Sequence, residues 1–168
     1  MTLHSTSTQA GAKPAAEGPR ESLVRQAAEA IDAFYDAAAA GKADLAPEHQ
    51  SAAAQTHRAH QLGITDVEIT TARRNGGMVT LYVGRHRLSG AASQPRLCEA
   101  DARAFCEEQV RRDEQDAPLE WSPDPEGECP RELFTEDDRG DLRETGYSIQ
   151  PVSVLLVFDP GPPAQHGV

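Results

Sequence analysis

Apolar side chains recur every three or four residues over residues 22–40, and charged side chains occupy the positions between them. This spacing is typical of an amphipathic helix with one buried face. Ser22 belongs to the residue types that favour helix N-caps, and Gly41 to those that favour the position after a helix ends. The pattern therefore predicts a helix over residues 22–40.

Two further segments show weaker helical patterns. Residues 45–62 carry a sparse apolar stripe, with Pro47 in the first turn and Gly63 directly after the last residue. Residues 97–115 place apolar side chains at helical spacing among many charged ones. Because only residues 41–44 separate the first two predicted helices, we expect these helices to form an antiparallel hairpin.

Strand-like patterns occur in three places. Residues 67–71 and 79–83 alternate between apolar and polar side chains, and the Arg-Asn-Gly-Gly sequence at 74–77 favours a turn between them. The two segments are therefore predicted to form a β-hairpin. Residues 152–158 are apolar on both faces, which predicts a strand covered on both sides. Pro151 is expected at the start of this strand or at a bulge, since proline has no N–H to donate to a sheet.

The element order α-α-β-β-α-β predicts the α+β class, with a helical hairpin plus a third helix packed on a small, mostly antiparallel, three-stranded sheet. We expect one domain over residues 21–158. Residues 1–20 and 159–168 are poor in large apolar side chains and predict a disordered N-terminal tail and a flexible C-terminal tail. Residues 118–145 contain ten acidic residues and four prolines, and predict a long acidic insertion without regular structure.

Charge restricts the classes of partner. The chain has 168 residues, of which 16 are Lys or Arg and 27 are Asp or Glu, so its net charge is −11. Such a chain is not attracted as a whole to nucleic acid or to anionic lipid, and neither is an expected partner. The acidity is concentrated in residues 98–146, which hold 17 acidic and six basic residues, whereas residues 65–97 hold two acidic and five basic ones.

The acidic stretch also contains isolated large apolar residues. Acidic segments with isolated aromatic residues are typical of docking segments that bind a partner, here a basic protein surface such as that of a nucleic-acid-binding protein. The alternative interpretation is a solvated linker whose single tryptophan covers its own domain. On the first interpretation, the candidate partner-binding residues are Trp121, Leu133, Phe134, Glu136, Asp137 and Asp138.

The basic stretch suggests a second kind of site. Arg73 and Arg74 precede the predicted turn, and Arg85 and Arg87 lie at the end of the second strand of the predicted hairpin. A cluster of arginines is an anion-binding candidate. However, the two pairs are expected at opposite ends of the hairpin, and they also balance the charge of the acidic stretch.

Side chains that carry chemistry are sparse. Cys98, Cys106 and Cys129 lack the C-x-x-C spacing of a metal or redox site, and their odd number without a secretory leader favours a reducing, cytoplasmic compartment. His57 and His60 share a helix face but lack an evident third ligand. The chain contains none of the common phosphate-loop, dinucleotide, nucleophile-elbow or zinc-protease motifs. The sequence therefore predicts no catalytic residue, metal site or cofactor.

These patterns favour a non-catalytic intracellular interaction protein that uses an acidic segment to bind a basic protein surface, as inhibitors, adaptors and nucleic-acid mimics do. One alternative is a small enzyme or anionic-ligand-binding domain with a pocket between the sheet and the helical hairpin; a deep pocket with inward polar groups would favour it. Another is a subunit of a larger assembly, which an exposed apolar strand edge would favour. The pattern leaves the oligomeric state open.

Overall fold

The computed structural model describes residues 18–122, 131–137 and 139–162, and these residues form an α+β fold with a four-stranded antiparallel sheet. Residues 1–17 and 163–168, which belong to the predicted tails, lie outside the described residues. The predicted α+β class is confirmed, but the sheet has four strands rather than three. The elements are α1 (Pro19–Ala39), α2 (Ala46–Gln61), α3 (Asp66–Ala72), β1 (Met78–His86), α4 (Glu99–Asp113), β2 (Leu119–Trp121), β3 (Arg131–Glu136) and β4 (Leu142–Leu155).

The first two helices are confirmed and pack against each other. α1 begins at Pro19, three residues before the predicted start, because Pro19 suits the first helical turn and the Glu21 carboxylate accepts a hydrogen bond from the Gly18 N–H at 3.2 Å. Apolar residues of α1, α2 and α3 form one core, which includes Ala27, Ile31, Ala52, Ala59, Ile69 and Phe158.

The predicted strand at residues 67–71 is wrong, since this segment is the helix α3. The Thr65 hydroxyl accepts from the Glu68 N–H at 3.3 Å, and the Glu68 carboxylate accepts from the Thr65 N–H at 2.9 Å. This reciprocal capping box starts a helix, and it overrides a short alternating pattern. The backbone hydrogen bond from Thr65, followed by the side-chain hydrogen bond from Arg20, lowers the pKa of Glu68 to about 2.

The predicted hairpin is therefore wrong as well. The turn at residues 74–77 exists, and Asn75, Gly76 and Gly77 all have positive φ angles, but it connects α3 to β1. β1 pairs instead with β4, from Met78 opposite Leu155 to His86 opposite Tyr147. The strand order is β1-β4-β3-β2, and all pairs are antiparallel.

The segment 118–145, expected to be a long loop, contributes β2, β3 and the first residues of β4. Its acidic residues hide an alternating pattern in which Leu133 and Thr135 are buried and their neighbours in β3 are more exposed. Such alternation is the signature of a strand with one covered face. A segment dense in charge thus forms half of the sheet.

β4 begins ten residues before the predicted strand and ends at Leu155, so Pro151 lies inside it, in unbroken register with β1, rather than at its start or at a bulge. Opposite Pro151, Tyr82 directs its N–H and C=O away from β4 to Arg96, at 2.7 and 2.9 Å. Tyr82 and Pro151 are therefore a non-hydrogen-bonded pair of the antiparallel ladder, and Pro151 does not need to donate an N–H to β1. Beyond β4, Phe158 packs into the core of the helices.

The sheet has two unlike faces. α4 packs on one face, which we call the α4 face, and buries Leu133 and Ile149 against Ala102, Cys106 and Val110. The approach is close, because a Cβ on Gly84 would lie 2.6 Å from the Cys106 Sγ. The other face, which we call the open face, carries Phe134 and Val152. Among the described residues, the remaining helices form a separate core that includes no strand residue, although Val83 on the open face is only 7% exposed.

An irregularity in β4 sets which residues reach the open face. Glu132 pairs with Ser148 and Phe134 with Glu144, so β4 carries two more residues than β3 between these pairs. The extra length lies around Gly146, whose φ is 82°. The Thr145 hydroxyl donates to the Leu133 carbonyl at 2.7 Å and holds this bulge against β3.

Candidate functional site

Phe134 lies among four glutamates on the open face. Glu120 of β2 is its partner on one side, and Glu144 of β4 is its partner on the other. Glu132 and Glu136 lie two positions before and after Phe134 in β3. Direct cross-strand partners and residues two apart along a strand point to the same face. We call Phe134, these four glutamates and Leu142, the partner of Glu136, the acidic face.

The spacing of a sheet places these side chains close together. Cβ atoms of directly opposed residues lie about 5 Å apart, and residues two apart along a strand are about 7 Å apart. All four glutamates are exposed, whereas Phe134 is half-buried between them. The arrangement concentrates up to four negative charges around one aromatic ring.

Few cations balance these carboxylates. Glu144 pairs with Arg87 at 3.0 Å, but within the described residues no ion pair involves Glu120, Glu132 or Glu136. The nearby arginines of β3 and β4 point to the α4 face instead: Arg131 pairs with Glu99 at 3.1 Å, and Arg143 pairs with Glu114. Three of the four glutamates thus have no ion pair within the described residues, although Arg85 lies on the same face, two strands away from Glu132.

An apolar hollow lies within the acidic face. Its volume is about 220 Å³, and it is lined by Glu120, Trp121, Ser122, Phe134 and Leu142. Sites for small molecules usually measure about 300–1,000 Å³, so this hollow is better suited to a single side chain. Leu142 is 54% exposed at its rim.

The six predicted partner-binding residues do not share one surface. Leu133 is fully buried on the α4 face, and the Trp121 indole N–H donates to the Glu107 carboxylate of α4 at 2.8 Å, so both belong to the inner packing of the domain. Phe134 and Glu136 lie on the acidic face. Trp121 also contributes to the lining of the hollow.

The remaining two predicted residues follow β3. The Asp137 carboxylate accepts from the N–H groups of Arg139 and Asp141 at 2.8 and 3.0 Å, so it stabilises the turn between β3 and β4. Asp138 lies outside the described residues. Sequence reasoning missed Glu120, Glu132, Leu142 and Glu144. The alternation of apolar and polar side chains in residues 131–136 was a sequence signal that could have placed Glu132 beside Phe134. Glu120 and Glu144 lie beside Phe134 only because β2 and β4 pair with β3.

The predicted anion-binding arginines are not brought together. The Arg73 guanidinium is buried, donates to Asp32 at 3.0 Å and to the Leu156 carbonyl at 2.7 Å, and stacks on Tyr35 at 4.7 Å. It therefore joins the helical core to the end of β4.

The other three arginines have separate surroundings. Arg74 pairs with Asp36 and, at 3.6 Å, with Asp32, and the hydrogen bond that it donates to the Asp36 carboxylate raises its pKa. Arg85 is exposed on the open face near the far end of β1, and Arg87 pairs with Glu144. No shared anion site results from the four predicted residues.

A cleft does exist beside the helices, near the predicted place. It measures about 230 Å³ and is lined by residues of α1 and β1 together with Arg73 and Arg74. Because Asp32 and Asp36 already bind these arginines, an anion would have to displace a carboxylate to bind them.

The remaining chemistry-bearing side chains are structural in their contacts. Burial raises the pKa of the Cys106 thiol to about 11, and Cys98 is buried as well. His60 pairs with Asp66 at 2.7 Å. Within residues 18–122, 131–137 and 139–162, no group of three or more His, Cys, Asp or Glu side chains is arranged to hold a metal ion. None of the helices there combines the length and apolarity needed to cross a bilayer.

No protein family, curated protein or solved structure matches the chain.

Proposed function

We propose that the protein is a non-catalytic interaction protein whose acidic face binds a Lys- and Arg-rich surface of another protein. The observation that supports this is the position of Phe134 among four glutamates, three of which have no ion pair in the described residues. Glu120 lies diagonally across from Glu132 and Glu136, and like charges at this spacing repel one another. A basic partner surface would supply the missing cations and cover the aromatic ring.

The same charge distribution has a kinetic consequence. An acidic surface steers a cationic partner toward it, and this contribution weakens as the Debye length falls to about 8 Å at physiological ionic strength. Because the three unpaired glutamates lie on exposed strand positions, their main effect is expected on the association rate.

The test uses partner capture with matched variants. Neutralising Glu120, Glu132 and Glu136 to Gln should abolish capture of a specific basic protein from a lysate of the native host. A control with the same charge change, Asp101, Asp113 and Asp116 to Asn, should retain it, since these exposed residues lie in or after α4. Loss of the partner from both variants, or from neither, would contradict a role of the acidic face.

The other candidate functions have weaker support. An anionic-ligand domain would use the cleft beside α1, but the two arginines there are already paired with aspartates. An assembly subunit would present an apolar strand edge. Residues 91–96 bond to the outer edge of β1 at Tyr82, Gly84 and His86, and β2, at the other edge of the sheet, is only three residues long. The acidic face is therefore the better candidate.

A further inference from the structure

The hollow on the acidic face restricts the partner in a way that the charge of this face does not. Its accessible surface is mostly apolar, and its apolar lining residues are Trp121, Phe134 and Leu142. A purely electrostatic surface for basic partners needs no such feature. Partner residues that fill a desolvated apolar site usually contribute most of the binding energy, while charged residues around it contribute less.

The positions of the carboxylates relative to the hollow complete the pattern. Glu120 and Glu144 flank Phe134 across the strands, and Glu132 and Glu136 flank it along β3. Any segment that inserts a side chain beside Phe134 thus passes carboxylates before and after that side chain. With strand spacings of about 5 Å and 7 Å, these carboxylates are within reach of Lys or Arg side chains one or two positions away.

We infer that the protein recognises a protein segment in which one large apolar residue, such as Phe or Leu, is flanked on both sides by Lys or Arg. The apolar residue occupies the hollow between Phe134 and Leu142, and the flanking cations meet Glu120, Glu132 and Glu136. This inference rests on the proposed function and specifies the partner that the acidic face selects.

The chain contains its own reporter for the test. Trp121 is the only tryptophan, and it lines the hollow, so its fluorescence should change when the hollow is filled. Three synthetic peptides serve as probes: a Lys-rich peptide with a central Phe, the same peptide with a central Ala, and a peptide in which Gln replaces Lys around the central Phe. The Lys-rich peptide with Phe should bind at least about tenfold more tightly than either of the others.

The three peptides separate the two proposals. Equal binding of both Lys-rich peptides would overturn the apolar anchor while leaving the acidic docking surface in place. Equal binding of the Lys and Gln peptides, or no binding of any of them, would overturn both. Ionic strength provides an independent check, because added salt should weaken both Lys-rich peptides and leave the Gln peptide unaffected.

Matched leucine variants locate the anchor. Leu142→Ala removes one side of the hollow and should weaken the Lys-rich Phe peptide by at least about fivefold, without a comparable effect on its Ala counterpart. Leu62→Ala is the control, because Leu62 is 59% exposed, close to the 54% of Leu142, and lies after α2. Equal effects of the two substitutions would overturn the assignment of the hollow.

Discussion

The two faces of the sheet differ in what their side chains meet. On the α4 face, Leu133 is fully buried, Arg131 and Arg143 are paired with carboxylates, and the Trp121 indole N–H has an acceptor on α4. On the open face, Phe134 is half-buried and its glutamate neighbours are mostly unpaired. Along β3, residues whose side chains pack against α4 thus alternate with residues whose side chains are more exposed and, for the glutamates, have no ion pair in the described part of the chain. The α4 face thus contributes buried contacts to the fold, whereas three glutamates of the open face have no ion pair within the described residues.

The largest expected effect compares adjacent residues of β3. Leu133→Ala should lower the free energy of unfolding by about 2–5 kcal/mol, since it removes a fully buried side chain and leaves a cavity. Phe134→Ala should cost only about 1 kcal/mol, because its ring is already partly in water. Chemical denaturation of both variants measures the difference. Equal losses would mean that the open face is covered in the folded protein.

The second effect concerns the short distance between α4 and β1. Gly84→Ala should cost about 1–3 kcal/mol, because the new Cβ would lie 2.6 Å from the Cys106 Sγ and 3.1 Å from the Ala102 carbonyl. Adding Cys106→Ala removes the closest atom and should restore part of the loss, which a double-mutant cycle measures. Strict additivity of the two substitutions would show that the strand and helix do not meet at this point.

A smaller effect, of opposite sign, is expected on the open face. Replacing Glu120, Glu132 and Glu136 by Gln should raise the free energy of unfolding by about 0.5–1 kcal/mol in total at low salt, since it relieves repulsion between Glu120 and its two diagonal neighbours. Glu99→Gln should instead lower it by up to about 1 kcal/mol, because Glu99 pairs with Arg103 and Arg131. Urea titrations at two salt concentrations measure the free energy of unfolding of the triple variant and of Glu99→Gln. A triple variant less stable than the native protein would contradict unbalanced charge.

The smallest effect is local and chemical. With its pKa raised to about 11, roughly one Cys106 thiol in a thousand is ionised at pH 8, so alkylation should be slow in the folded protein. Since the folded pKa lies above the ordinary value of 9.0, this thiol favours the folded state below about pH 9, and the contribution is lost as the pH rises toward 11. A variant with Cys98 and Cys129 changed to Ser isolates the reaction with iodoacetamide. Alkylation as fast as that of the unfolded chain would contradict a closed α4 face.

The helices were predictable where local signals agree. α1 combines a long apolar stripe with Pro19 at its start and Gly41 after its end, so only its first residues differ from expectation. α3 was missed because Val67, Ile69 and Thr71 fit strand alternation as well as one helical turn. The distinguishing signal was Thr65 three residues before Glu68, which is a helix-start pattern.

The sheet and the site were less predictable, for a physical reason. β3 was hidden because charged side chains on one face gave its segment the composition of a solvated loop. Phe134 and Glu136 were recognised individually, but their grouping with Glu120 and Glu144 depends on the pairing of three strands. Such pairing is set by contacts between residues distant in the chain, which periodicity within one segment does not contain.

The two extra residues of β4 around Gly146 limit how this chain can change in length. Side chains alternate with a period of two, so an even insertion keeps Leu142 and Glu144 facing solvent. Removing one residue there would turn Glu144 toward α4 and bring Arg143 and Thr145 to the outside. Relatives that preserve the fold should therefore vary in even steps at this bulge, and an odd change should occur only with a compensating one elsewhere in the strand.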